Sequence, residues 1–108
     1  MTDAKVESEV VGDLVRIGLS GEIDLANAAT VQSEINAAVG NEATAVVLDL
    51  SELDYLDSAG LRVLFTLASR LRVLQMTLEL YVPPGSRVRR AVELSGLEPV
   101  APLRSTLD

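Results

Sequence analysis

The sequence predicts an α/β fold: a mostly parallel, mixed sheet of four to five strands, opened by an antiparallel hairpin, with three to four helices packed on it. Three observations predict it. β-branched runs alternate with segments of helical period along the chain, the order that builds parallel sheets. The 108 residues suffice for a single domain, 1–108, with one modest core. Hydrophobic residues make up 48% but aromatic ones only 3%, so that core must be built from Leu, Val, Ile and Ala, a composition suited to helices lying on a sheet.

Residues 6–11 and 14–20 are short β-branched runs, and Gly12-Asp13 between them is a two-residue turn signal, so they read as a hairpin. In the second run Val15, Ile17 and Leu19 alternate with Arg16 and Gly18, which gives one buried and one wet face. Gly21-Glu22-Ile23-Asp24 breaks that pattern. From about residue 26 to 39 the period is helical, with Val31, Ile35, Ala38 and Val39 on one stripe and Gln32, Ser33, Glu34 and Asn36 opposite. Asp24 or Asn27 offers the cap, and Gly40 the stop.

Residues 45–50 (AVVLDL) are almost continuously apolar, the mark of a strand covered on both faces. A short turn leads into a helix over about 58–72. Its core stripe is Leu61, Leu64, Phe65, Ala68 and Leu71; Val63 and Leu67 lie off that stripe, as half-buried flanks or as a partner-facing apolar strip. Residues 77–82 (TLELYV) alternate again as a strand that Pro83-Pro84-Gly85 ends. Ser86 caps a third helix running through Ser95, and Gly96-Leu97 is a glycine-plus-hydrophobe helix ending. In the tail, 98–108, Val100 is placed in a short edge strand.

The charge and composition exclude several functions. Nine basic against sixteen acidic residues give a net charge of -7, the wrong sign for a nucleic-acid backbone or an anionic membrane surface. The expected partner is instead a protein with a basic patch. Cys and His are both absent, which excludes disulfides and thiolate or imidazole metal sites, and no Asp/Glu spacing resembles a calcium loop. No cofactor motif or metal site is expected. The N-terminus has neither a basic segment nor an apolar run, and no stretch reaches the length of a membrane span, so the expected location is the cytoplasm.

Ser58 is the residue of greatest interest. The run VVLDLSELDYLDSAGLRVLF (46–65) is a strand, a turn and a helix start, with Asp57-Ser58-Ala59-Gly60 at the junction. A serine or aspartate there is ordinarily a cap. As a nucleophile Ser58 lacks a base: there is no histidine, Lys5 is the only lysine and lies on an edge strand, and the first glycine of a nucleophile elbow is missing. The chain reads as no enzyme, and Ser58 as a hydroxyl acted upon. Asp24 and Asp57-Ser58 both follow strand ends, which places them on the rim where parallel sheets meet partners. Gly60 is required either by a partner's approach or by close internal packing. Arg87, Arg89 and Arg90 read as a solvated face, with Glu93 spaced to pair with Arg89.

Three segments in order, LSGEIDLANA (19–28), VVLDLSELDYLDSAGLRVL (46–64) and LELYVPPGSRVRRAVELSGL (78–97), resemble the STAS domain, specifically the small anti-sigma factor antagonists. Together they span almost the whole chain. The middle segment, with its D-S-x-G-L core, is the most specific. The resemblance implies a switch. The unphosphorylated protein binds an anti-sigma factor, which is a serine kinase, and so frees a sigma factor; the kinase phosphorylates the position of Ser58; a metal-dependent serine phosphatase resets it. It implies that Asp24 belongs to the partner surface and that Asp57 lies beside the phosphosite; the expected partner-binding residues are Asp24, Asp57, Ser58, Ala59, Gly60 and Arg62. The competing reading is a STAS scaffold subunit, or a transporter's partner, using the same rim without sigma control. Gln75 departs from the family, which commonly has glycine before the fourth strand, and the short C-terminal region leaves the family's last helix in question. A phosphate on Ser58 is expected either to repel an acidic partner surface, together with Asp24, Asp54 and Asp57, or to draw Arg62 back from i+4; disruption at the interface is the favoured expectation.

Overall fold

Gly12, at φ +63°, turns the chain back on itself, and the strands on either side, β1 (Ala4–Val11) and β2 (Leu14–Ile23), pair antiparallel from Ala4–Gly21 to Val11–Leu14. The computed structural model describes residues 3–106. After β2 come α1 (Ala28–Val39), β3 (Ala45–Leu56), α2 (Ser58–Val73), β4 (Thr77–Tyr81), α3 (Arg89–Ser95) and β5 (Leu103–Arg104). The five strands lie in chain order, β1-β2-β3-β4-β5, and every pairing after the hairpin is parallel. The mixed, mostly parallel sheet read from the sequence is therefore the observed one. No helix among the described residues is long and apolar enough to cross a membrane.

The core follows from strand alternation. Val15, Ile17 and Leu19 of β2, Val46, Leu48 and Leu50 of β3, and Leu78 and Leu80 of β4 turn to one face and are buried. Val31, Ile35 and Val39 of α1, the buried side of α2, and Val92 of α3 close over them in one cluster. The opposite face is not a second core, contrary to the reading of residues 45–50. Val47 is buried there, but its register partners are Arg16 and Glu79, and the next row is Glu7, Gly18, Asp49 and Tyr81. Val47 thus lies between two long polar residues where an apolar cover on this face was expected, and Arg104 reaches Glu79 at 3.2 Å.

Several boundaries move for identifiable reasons. β2 does not end at Ser20: register shifts at Gly18/Ser20 and Gly21/Glu22 absorb the irregularity and the strand runs on to Ile23. β3 continues through the expected turn to Leu56, because Leu53 and Leu56 still point inward and pair beside Gly21 and Ile23. α3 starts at Arg89; Ser86 instead closes the turn before it, its hydroxyl accepting from Val88 N at 3.3 Å. Its end is the one expected, Gly96 at φ +86° followed by buried Leu97. Val100 lies in a turn, its N–H bonded to Leu97 O, and the edge strand falls on Leu103–Arg104, where Leu103 pairs with Leu80. Residues 98–106 hold no helix.

The arginines of the third helix divide. Arg89 is not part of a solvated face: it donates to Val82 O and pairs with Glu93 at 3.2 Å. Arg90 is exposed, and Arg87 reaches Asp54 at 3.9 Å across solvent.

Gln75 sits at φ +61°, the one non-glycine residue with positive φ among those described. Its N–H bonds back to Arg72 O, and Met76 N to Leu71 O, so the conformation ends α2 and launches β4. A side chain in that region costs about 1–2 kcal/mol, part of which glycine returns through the entropy of its unfolded state. Gln75→Gly is therefore expected to stabilise the fold by roughly 0.5–1 kcal/mol, seen as a higher urea midpoint at unchanged slope.

Candidate functional site

Ile23 and Leu56 are register partners at the carboxyl ends of adjacent parallel strands, so the residues that follow them, Asp24 and Asp57, lie side by side on one rim. The N–H of Asp57 donates to Ile23 O at 3.3 Å and ties the two segments together. At this point β3 becomes α2, and the first helical N–H groups need acceptors. Asp57 supplies one: its Oδ1 accepts from Ala59 N at 2.9 Å and from Gly60 N at 3.1 Å. The cap is thus Asp57 and not Ser58. Losing it through Asp57→Ala should cost about 1–2 kcal/mol, with Asp57→Asn costing less, measured as a fall in the thermal midpoint.

Ser58 is released from structural duty by that cap. It is the first residue of α2, it is exposed, and its hydroxyl makes no hydrogen bond among the described residues. Arg62, one turn later, is also exposed and makes no ion pair among them.

Gly60 has an internal explanation. A Cβ on it would stand 2.8 Å from Leu56 Cδ1, 3.1 Å from Leu56 Cβ and 3.3 Å from Ile23 Cγ2. The helix start leans directly on the two strand ends, and glycine is what lets it approach. Gly60 is buried, so close internal packing accounts for the glycine without a partner.

Asp24 builds a turn. Its Oδ1 accepts from Ala26 N at 2.9 Å, while its own N–H donates to Asn27 Oδ1 at 3.0 Å; Asn27 Nδ2 in turn donates to Glu22 O at 2.9 Å. Neither Asp24 nor Asn27 caps α1 with its side chain, although each was a candidate. α1 accordingly starts at Ala28 and not Ala26, because residues 24–27 are spent on this turn.

The turn does something composition did not reveal. It holds Leu25 83% exposed, directly beside Asp24. From there a groove of about 430 Å³ runs between α1 and α2, with Leu25, Ala28, Ala29 and Gln32 along one side and Ser58, Ala59, Arg62, Val63 and Thr66 along the other. Ser58 is thus one end of a mainly apolar groove. Asp54, grouped with Asp24 and Asp57 by sequence, is instead engaged with Arg87. Leu25 and the α1 wall were missed; the available signal was a large apolar residue inside a polar turn, out of register with the helical stripe that begins at Val31.

The STAS domain family model matches residues 5–108. The chain belongs to the STAS domain family. It is 35% identical over 102 residues to BtrV of Bordetella bronchiseptica, assigned as an anti-sigma factor antagonist, covering 94% of this chain and 87% of that one. It is 37% identical over 91 residues to the anti-sigma-F factor antagonist RsfB of Mycobacterium tuberculosis, covering 84% of this chain and 73% of the relative. The crystal structure of an anti-sigma factor antagonist from Mycobacterium paratuberculosis superposes with a TM-score of 0.85 at 29% identity, over 98% of this chain and 89% of that one. The STAS sheet and its helices are thus the frame on which the Asp24 and Ser58 rim is built.

Proposed function

We propose that the protein is an anti-sigma factor antagonist that binds its anti-sigma factor when unphosphorylated, releasing a sigma factor, and is switched off by phosphorylation of Ser58. The observation that carries this reading is the exposed, unengaged Ser58 hydroxyl at the end of the groove, relieved of capping by Asp57. The names carried by its relatives supply the kind of partner.

The chemistry belongs to the partner. A serine kinase transfers the γ-phosphoryl of ATP to Ser58 Oγ; the hydroxyl proton is lost and ADP leaves. A metal-dependent serine phosphatase returns the hydroxyl by hydrolysis. The protein itself is no enzyme, and its role is to present the acceptor on a fixed helix start in the cytoplasm.

The cap geometry indicates why the phosphate matters. Asp57 already occupies Ala59 N and Gly60 N, two of the groups that would otherwise receive an anion at a helix start. A phosphate carrying about 1.5–2 negative charges therefore competes with Asp57 or projects from the surface, adjacent to Asp24 and Asp57. Either outcome alters the surface that a partner must cover. Asp24, Asp57, Ser58, Ala59 and Arg62 are the partner-facing residues on this reading; Asp24 and Asp57 also hold the site's shape.

The test is incubation with the cognate anti-sigma kinase and ATP, followed by intact mass and site mapping. One phosphoryl group on Ser58 is expected in the native protein and none in Ser58→Ala. A phosphate that never appears on Ser58 would sink the switch.

A further inference from the structure

Leu25 stands out from the other exposed apolar residues because the backbone that carries it is fixed. A leucine in a slack loop beside an apolar groove would fold down into it. Here the turn on both sides is held by Asp24 N–H to Asn27 Oδ1, Ala26 N–H to Asp24 Oδ1, Asn27 N–H to Asp24 O and Asn27 Nδ2 to Glu22 O. These bonds fix the backbone of the turn, and on it Leu25 stands 83% exposed at the wall of the groove. Ala28 and Ala29 are small, so the groove beside Leu25 stays open down to Ser58.

We propose that Leu25 is the specificity-determining anchor of the protein's interface, and that the groove and Leu25 together receive an apolar side chain of the anti-sigma factor flanked by a basic one. This rests on the function proposed above. Two features select that occupant. The groove is continuous with Ser58, so a kinase that brings its active centre to the hydroxyl covers the groove at the same time. The lip beside Leu25 carries Asp24 and Asp57, side by side on the rim of a chain of net charge -7, while Arg62 stands on the opposite wall of the groove. An acidic lip around an apolar centre fits a basic side chain placed beside an apolar one.

On this account Asp24 is a positioning residue: through its Oδ1 it presents Leu25, in addition to any charge it offers. Leu25 makes little contact with its own protein, so replacing it isolates the interface from the fold. An apolar side chain that a partner desolvates on binding can carry a large share of the binding energy.

The test uses the full chain and its cognate anti-sigma kinase. Leu25→Ala is expected to weaken binding of the unphosphorylated protein about 30-fold and to raise KM for Ser58 phosphorylation by a similar factor, with kcat unchanged. Its thermal midpoint should equal that of the native protein, and Leu25→Met should recover most of the affinity. A dissociation constant for Leu25→Ala within about twofold of native, with the native protein binding normally, would overturn the anchor and leave the switch intact. A fall in kcat with unchanged KM would also overturn it, by making Leu25 part of the transfer step. If the native protein neither binds the kinase nor gains phosphate on Ser58, the proposed function fails and the anchor with it.

Discussion

Leu67→Ala should destabilise the protein by about 3 kcal/mol, and Phe65→Ala by no more than about half of that, in equilibrium urea unfolding. The expectation follows from which side of α2 faces the sheet. Leu67 is fully buried and Val63 is 4% exposed, whereas Phe65 is 38% exposed. Removing the Leu67 side chain leaves a cavity among residues that are themselves fully buried, including Leu64 and Leu71. Relaxation there is limited, so the cost includes a cavity contribution beyond the lost transfer energy. Phe65 faces a surface depression beside Met76 and Val100, where water already reaches one side of the ring. A larger loss for Phe65→Ala than for Leu67→Ala would mean that α2 sits in the other rotation.

That rotation shows where the sequence ran short. In residues 61–67 only Arg62 and Thr66 interrupt the apolar run, so several adjacent stripes satisfy the helical period. Periodicity selected Leu61, Leu64, Phe65, Ala68 and Leu71, and left Val63 and Leu67 as flanks or a partner strip. The structure buries Gly60, Val63, Leu64, Leu67, Ala68 and Leu71, and leaves Leu61 only partly covered. Gly60 offers the physical reason. Its bare Cα lets the helix start rest on Leu56, four residues back, and on Ile23, which is far away in sequence. Gly60 was identified as special, but its choice between a partner and internal packing required the strand ends to be in place.

Elsewhere the local signals were sufficient. Gly12-Asp13 gave the hairpin, Gly96 the end of α3, and the alternation of Val15, Ile17 and Leu19 the buried face of β2. The rim pairing of Asp24 with Asp57 was legible because parallel strands end at the same edge. What each side chain does on that rim was not, because Asp, Asn and Ser all bond to nearby backbone in several local patterns. Asp57 took the cap, Asp24 and Asn27 took the turn, and Ser58 was left unengaged. Leu25 became visible only once that turn was seen to hold it outward.

The second large effect concerns Ser58 itself. Ser58→Ala should bind the anti-sigma factor within about threefold of the native protein and should never accept phosphate, leaving the antagonist permanently active. The phosphorylated native protein should bind at least about 100-fold more weakly, since a bulky dianion beside Asp24 and Asp57 must be desolvated or displaced before a partner can close over Ser58. Ser58→Asp carries less charge and a shorter reach than phosphoserine, so it should fall between the two. If it binds like the native protein, the shape of the phosphate and not its charge is what the partner rejects.

The most direct test is calorimetric titration of the cognate anti-sigma factor with the native protein in two forms, unphosphorylated and stoichiometrically phosphorylated on Ser58. Tight binding of the first form and a loss of at least about 100-fold in the second is the predicted result. Equal affinity of the two forms would contradict it, because Ser58 would then be modified without acting as a switch.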